Sequence, residues 1–216
     1  MRNNIIIALF CVLSSAFPSG AKSKTLASFI DKVSASLVSF DYSFTMRTAK
    51  SSSKMTGTGD VRVQDNAFVL NGNGMEVWCD GRVRWTVDRF AEEALVETVE
   101  ESADIYATNP ALMITSVDSA FEEVSFGADK FQGKSVEAST LSPLNKGRYS
   151  MDIDELKLYF RSGTTVLVGA EVKLNDGSVS EFIITRFAFS DRLDTKESFR
   201  FDEKTLDDSY VVTDLR

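Results

Sequence analysis

Histidine is absent from the 216 residues of this chain. Without an imidazole, Ser-His-Asp and Cys-His catalysis are excluded, and the commonest metal ligand is missing. Cysteine occurs twice, as Cys11 and Cys79. Cys11 falls in a stretch that reads below as a removed leader, so Cys79 has no partner in the chain and no intramolecular disulfide is possible. A lone cysteine of this kind is expected to be buried and inert. Proline is scarce: beyond the leader only Pro110 and Pro143 remain, as expected where most residues donate to sheet ladders. Basic residues are in deficit, with 24 Lys and Arg against 32 Asp and Glu and a net charge of −8. That balance argues against nucleic acid and anionic membrane surfaces as partners, since both favour basic patches. Past the N-terminus no segment is long and apolar enough to cross a bilayer, which takes about 20 apolar residues. No internal repeat or low-complexity tract stands out.

The N-terminus carries the one unbroken apolar run. Arg2 gives a short positive region, Ile5 to Leu13 is apolar throughout, and Ser19-Gly20-Ala21 fits the small-x-small cleavage rule. The run is too short to span a membrane comfortably. Residues 1–21 are therefore expected to be a cleaved secretory signal peptide, with Ala16 as the alternative cut, and residues 22–216 a single domain working outside the bacterial cytoplasm. Cys11 follows Phe10 rather than a small residue, so acylation at that cysteine is not expected.

Lys22 to Val38 has the helical period, with Leu26, Phe29, Ile30, Val33 and Leu37 on one face. The period then changes to two. Phe40, Tyr42, Phe44 and Met46 alternate with polar residues, and Thr56 to Val63 alternates again. Phe68 to Leu70 starts a further strand, and Asn71-Gly72-Asn73-Gly74 marks a turn. Met75 to Cys79, Asp80-Gly81 and Arg82 to Val87 form the clearest hairpin, with the chemistry of a type I′ loop. Glu93 to Glu100 is another strand. Asn109-Pro110 reads as a helix cap with proline at the first helical position, opening a short apolar helix from Ala111 to Val117. Phe121 to Phe126 continues that helix or starts a strand. A β meander follows over Lys134 to Leu141, Gly147 to Asp152, Glu155 to Arg161, Val166 to Leu174 and Ser180 to Phe189, with Ser198 to Phe201 and Tyr210 to Val212 as short closing strands.

The pattern predicts a mainly β (α+β) domain. About ten antiparallel strands form a strongly curved sheet, with one long and one short helix. Antiparallel sheets often keep one apolar and one wet face. So much apolar inner surface with so little helix means either a closed sheet or a concave apolar hollow. The carboxylates Asp152, Asp154 and Glu155 sit in a polar turn and are expected to be solvated rather than catalytic. Glu92, Glu93, Glu97, Glu100 and Glu101 read as a wet strand face. No enzyme activity, cofactor or metal is expected.

The run from Gly57 to Val99, GTGDVRVQDNAFVLNGNGMEVWCDGRVRWTVDRFAEEALVETV, resembles the LolA family of periplasmic lipoprotein carriers. The features are Gly57 and Gly59 opening a strand, the Asp80-Gly81-Arg82 hairpin, Trp85, and the acidic strand Glu93 to Val96. Asn109-Pro110-Ala111-Leu112-Met113-Ile114 resembles the family's short lid helix, and Phe199-Arg200-Phe201-Asp202 its Phe-x-Phe strand. The leading helix fits as well, so the resemblance spans nearly the whole mature chain. One stretch departs from it. Well-known members carry a basic residue and a proline before the phenylalanine equivalent to Phe68, the arginine holding the lid closed. Here the stretch is Gln64-Asp65-Asn66-Ala67.

The resemblance implies an unclosed, half β-barrel whose concave face is covered by helices and takes the acyl chains of lipoproteins. It implies a periplasmic location in a Gram-negative bacterium, an inner-membrane ABC transporter of the Lol type that loads the carrier, and an outer-membrane acceptor. A monomer is expected. The cavity residues are then Phe40, Tyr42, Phe44, Val61, Val63, Val83, Trp85, Val87, Leu156, Leu158, Phe160, Val166, Val168, Val172 and Leu174. The lid residues are Phe29, Ile30, Val33, Leu112, Met113 and Ile114. The alternative is a non-carrier binding, sensor or scaffold module of the same fold, gripping a protein or lipid partner through its apolar face.

Overall fold

A computed structural model describes residues 21–50, 53–99, 109–144 and 153–216. The signal peptide expected at 1–21, apart from Ala21, and the strand expected at 147–152 lie outside the described residues.

Helix α1 (Lys24–Ala35) opens at Ser23, whose hydroxyl accepts the Leu26 N–H at 3.2 Å. Ser23 donates in turn from its own N–H and hydroxyl to the Glu123 carboxylate, the hydroxyl at 2.9 Å. The helix ends three residues earlier than the sequence pattern extends. Ser36 is already extended, and Leu37 and Val38 begin β1 (Leu37–Arg47).

The chain then runs through β2 (Lys54–Gln64), β3 (Ala67–Gly72), β4 (Met75–Cys79), β5 (Val83–Asp88) and β6 (Glu93–Thr98). Two short helices follow, α2 (Pro110–Thr115) and α3 (Val117–Ala120). The second half is β7 (Phe121–Phe131), β8 (Lys134–Pro143), β9 (Ile153–Phe160), β10 (Leu167–Leu174) and β11 (Val179–Ser190). A short α4 (Thr195–Ser198) and β12 (Val211–Asp214) close the chain.

All twelve strands belong to one curved sheet in the order β12-β6-β5-β4-β3-β2-β1-β11-β10-β9-β8-β7. The two edges, β12 and β7, do not pair with each other, so the barrel is unclosed. The strand β12 was not expected to run as it does: it lies parallel to β6, whereas every other pairing is antiparallel. The two-residue Asn73-Gly74 turn has φ of 53° and 82°, the positive pair that a type I′ hairpin needs. The Asp80-Gly81 loop differs from the expected type I′. Only Gly81 has positive φ there, and the Asp80 carboxylate accepts the N–H groups of Arg82 and Val83 at 2.8 and 2.9 Å.

The outer face of the β3–β6 half is covered by the C-terminal segment. Phe199 packs with Leu37, Ala67 and Val69, while Phe201 packs with Trp85, Val87, Ala94 and Val96. Phe201 sits 5.0 Å from the Trp85 ring and 6.1 Å from Trp78. The segment Ser198 to Phe201, expected as a strand, is the end of α4 followed by irregular chain. It still buries alternate residues, with Arg200 exposed between the two phenylalanines. Truncating a buried phenylalanine removes its transfer free energy and leaves a cavity, together about 3–5 kcal/mol. Phe201→Ala is therefore expected to lower the unfolding free energy by about that much. Tryptophan emission should shift to the red as Trp78 and Trp85 gain water. Thermal melts and fluorescence check both, and an unchanged melt would mean the C-terminal segment is not part of the core.

Candidate functional site

Cross-strand partners share a face, so the register sorts the inner face into rows. One row runs Val38, Val63, Phe68, Cys79 and a second Phe40, Val61, Leu70, Val77. A third runs Tyr42, Gly59, Gly72, Met75, and the next pairs Phe44 with Gly57. Across β1 the surface continues through Ile184 and Phe182, then Ala170 and Leu158, with Val172, Leu156 and Leu141 in line. Apart from Met75 and the glycines, these residues form one contiguous apolar core.

Ten of the fifteen cavity residues expected from sequence are here. Phe40, Tyr42, Val61, Val63, Leu156, Leu158, Phe160 and Val172 are buried in this core, and Phe44 and Leu174 are half-buried at its margin. The other five are not. Val83, Trp85 and Val87 share a face with one another, as their spacing requires, but it is the outer face under Phe201. The inward residues of β5 are Arg84, Thr86 and Asp88, which pair with Cys79, Val77 and Met75. In β10 a register shift between Leu167 and Gly169 breaks the alternation. Leu167 turns inward, and Val168 packs outside with Phe131, Tyr159 and Ile183. A bulge adds one residue and moves what precedes it to the other face. Val166 lies ahead of β10. Inner residues not singled out from sequence include Phe182, Ile184, Leu141 and Leu70. The first two were legible in the alternation of β11.

The roof has two parts. Helix α1 buries Leu26, Phe29 and Val33, with Ile30 half-buried. The Phe29 ring meets Phe160 edge-on at 5.2 Å and Phe187 at 6.1 Å. Helix α2 has the expected cap: the Asn109 side chain accepts the Ala111 N–H at 2.9 Å, and Pro110 fills the first turn. Its Ala111, Met113 and Ile114 are buried against the sheet, and Leu112 is half-buried beside it.

In the stretch Gln64-Asp65-Asn66-Ala67, Gln64 is buried and holds the C-terminal segment. Its amide donates to Leu193 O and accepts from Leu193 N, both at 2.9 Å. Asp65 pairs with Arg192, which also donates to Ser34 O at 2.6 Å.

Cover is uneven. Phe44, Leu70, Val77, Leu112 and Leu174 remain half-buried, as do Thr86 and Leu95 further along. Of these, Phe44, Leu70, Val77 and Leu95, with Thr86 among them, leave a partly open, mainly apolar strip across β1–β6. Glycines let the aromatic rings lie down on its floor. A Cβ at Gly57 would come within 2.5 Å of the Phe44 ring, and one at Gly59 within 2.3 Å of Asn71 O and 2.7 Å of the Tyr42 hydroxyl. Burial, and next the Asp60 carboxylate, push the Tyr42 phenol up, so it stays a neutral hydroxyl in the apolar floor.

Gly59→Ala is expected to cost about 1–3 kcal/mol, because the added methyl meets backbone of the neighbouring strand as well as the Tyr42 ring. Chemical denaturation measures it, and a neutral result would mean the strands relax apart freely. A six-residue helix is far below the length at which helices persist alone, about 12 residues, so α2 depends on its docking. Met113→Asp places a carboxylate at a 2 % exposed position. The variant is expected to keep its β circular dichroism while amide exchange rises across 109–117. Unchanged exchange there would show that apolar docking does not hold α2.

No family model matches the sequence, and no curated protein matches it either. Among solved structures the chain is similar to a LolA superfamily protein from Nitrosomonas europaea, at 10 % identity and TM-score 0.44 over 83 % of this chain and 99 % of that one. It is similar to a DUF1329 family protein from Desulfovibrio piger, at 10 % identity and TM-score 0.46 over 86 % and 100 %. It is also similar to an uncharacterized conserved protein from Thermus thermophilus, at 8 % identity and TM-score 0.49 over 88 % and 99 %. At 8 to 10 % identity these are likenesses of outline.

Proposed function

We infer that this chain is a periplasmic carrier that shields the acyl chains of lipoproteins and moves them from the inner to the outer membrane. The observation that supports this reading most is the continuous apolar concave face, firmly roofed by α1 and only half-covered across β1–β6. The resemblance of the sequence to the LolA carriers points to the same use. Three acyl chains carry on the order of 40 methylenes, and at about 0.8 kcal/mol each their exposure to water costs roughly 30 kcal/mol. A carrier must therefore offer a large apolar surface, hide it when empty, and release the cargo without breaking many specific polar bonds. A curved apolar sheet under a small docked helix meets these needs. An ABC transporter of the Lol type would load the hollow and an outer-membrane acceptor would empty it. The reading assigns the chain no reaction and no cofactor.

Acyl chains would compete with Ala111, Met113 and Ile114 for the same surface, so loading displaces α2. A disulfide tying α2 to β2, the strand it touches, tests this in a Cys79→Ser background. Lipoprotein uptake is expected to stop when the bond is oxidised and return on reduction, with the sheet intact throughout. Uptake at the normal rate in the oxidised protein would remove the gating role of α2. Mass spectrometry of protein taken from its own periplasm distinguishes the two classes of function. Copurified acyl lipid or lipoprotein supports a carrier, whereas a soluble protein partner on a lipid-free chain supports a sensor or scaffold module.

A further inference from the structure

The apolar strip changes character at one corner. The inner row Val38, Val63, Phe68, Cys79 continues on β5 and β6 as Arg84 and Glu97. Arg84 donates from Nε and Nη2 to Glu97 Oε1 at 3.1 and 2.9 Å. The two side chains are 21 % and 26 % exposed, so the pair is half-sunk in the wall but reachable. In the neighbouring row Leu70 and Val77 give way to Thr86 and then Leu95. Crossing from β1 to β5 spans four strand spacings, about 19 Å, a length comparable to an extended long acyl chain.

We propose that Arg84 and Glu97 form the polar end of the ligand site and receive the uncharged, carbonyl-rich linkage that joins acyl chains to an acylated polypeptide. This rests on the carrier reading and names the part of the cargo that the apolar face cannot recognise. Arg84 donates to ester or amide carbonyl oxygens of the linkage, and Glu97 keeps the guanidinium neutralised and aimed. The charge pattern selects an uncharged head over a phosphate. The pair has no net charge, Asp88 and Glu93 lie on the same face of the same two strands, and the chain as a whole carries −8. An anionic phospholipid would meet Glu97 at the guanidinium and a surplus of carboxylates around it.

The test compares three probes on the full mature chain: a synthetic triacylated lipopeptide, phosphatidylglycerol, and a fluorescent apolar dye with no head group. The wild type should bind the lipopeptide at least tenfold tighter than phosphatidylglycerol. Arg84→Gln should weaken the lipopeptide about tenfold and leave the dye unchanged, which also reports that the hollow is intact. Glu97→Gln leaves the guanidinium uncompensated, so phosphatidylglycerol should gain severalfold. If Arg84→Gln does not fold, the Glu97→Gln shift decides alone. Equal lipopeptide binding by wild type and Arg84→Gln, or a wild-type preference for phosphatidylglycerol, would overturn the head-group site and leave the carrier reading standing. A wild type that binds neither dye nor lipopeptide would overturn both.

Discussion

The contact between α1 and the inner face of the sheet, with Phe29 edge-on against Phe160 at 5.2 Å, turns a curved ribbon of strands into a container. Burying a side chain of this size contributes about 1.5–3 kcal/mol, and α1 buries Leu26 and Val33 beside it. The sum is comparable to the whole net stability of an ordinary domain, about 5–15 kcal/mol. Everything else on the concave side is arranged around that contact. The rows of β1 and β9–β11 close beneath α1, and α2 covers what α1 does not reach.

The two parts of the roof are held by different physics. Polar contacts at the edge of the sheet fasten α1. Ser23 reaches Glu123, which also accepts the Ser139 hydroxyl at 2.7 Å, and Lys22 pairs with Asp118 at 2.8 Å. Its far end is tied by Arg192 to the C-terminal segment. Helix α2 meets the sheet through buried apolar side chains, and its Asn109 cap closes only its own first turn. Apolar contact is non-directional, so in the proposed carrier the surface that holds α2 would also accept an acyl chain. A helix fastened by polar contacts thus lies beside one held by apolar contact.

The outer face shows how the sheet keeps its shape independently of the covers on its concave side. Phe199 and Phe201 bury the outward residues of β3–β6, and Gln64 clamps Leu193 at both backbone groups. On the other half, Phe131 stacks on Tyr159 with ring centroids 4.4 Å apart and lies over Gly169. The sheet is therefore supported from behind, independently of what occupies its concave side.

Much of this was legible in the order of residues. The switch of period near Val38, the alternation along β1, β2 and β11, the Asn109-Pro110 cap and the glycines at 57 and 59 follow from local geometry and sterics. Alternation states which residues of a strand lie together, and it was right that Val83, Trp85 and Val87 do. It does not state on which side of the sheet they lie, because the two faces of a strand are equivalent until something packs on them. Only the tertiary structure, by laying Phe201 across β5, sent those three outward and left Arg84 and Glu97 facing the hollow. The bulge before Gly169 was likewise out of reach of a local pattern, since it depends on the register β10 takes against β9. So too was the parallel pairing of β12 with β6, strands more than a hundred residues apart. The sequence alone thus determined most of the elements, which residues share a face within an unbroken strand, and the apolar supply. Which face became the inside was decided by contacts between distant segments, whose closure no local interaction encodes.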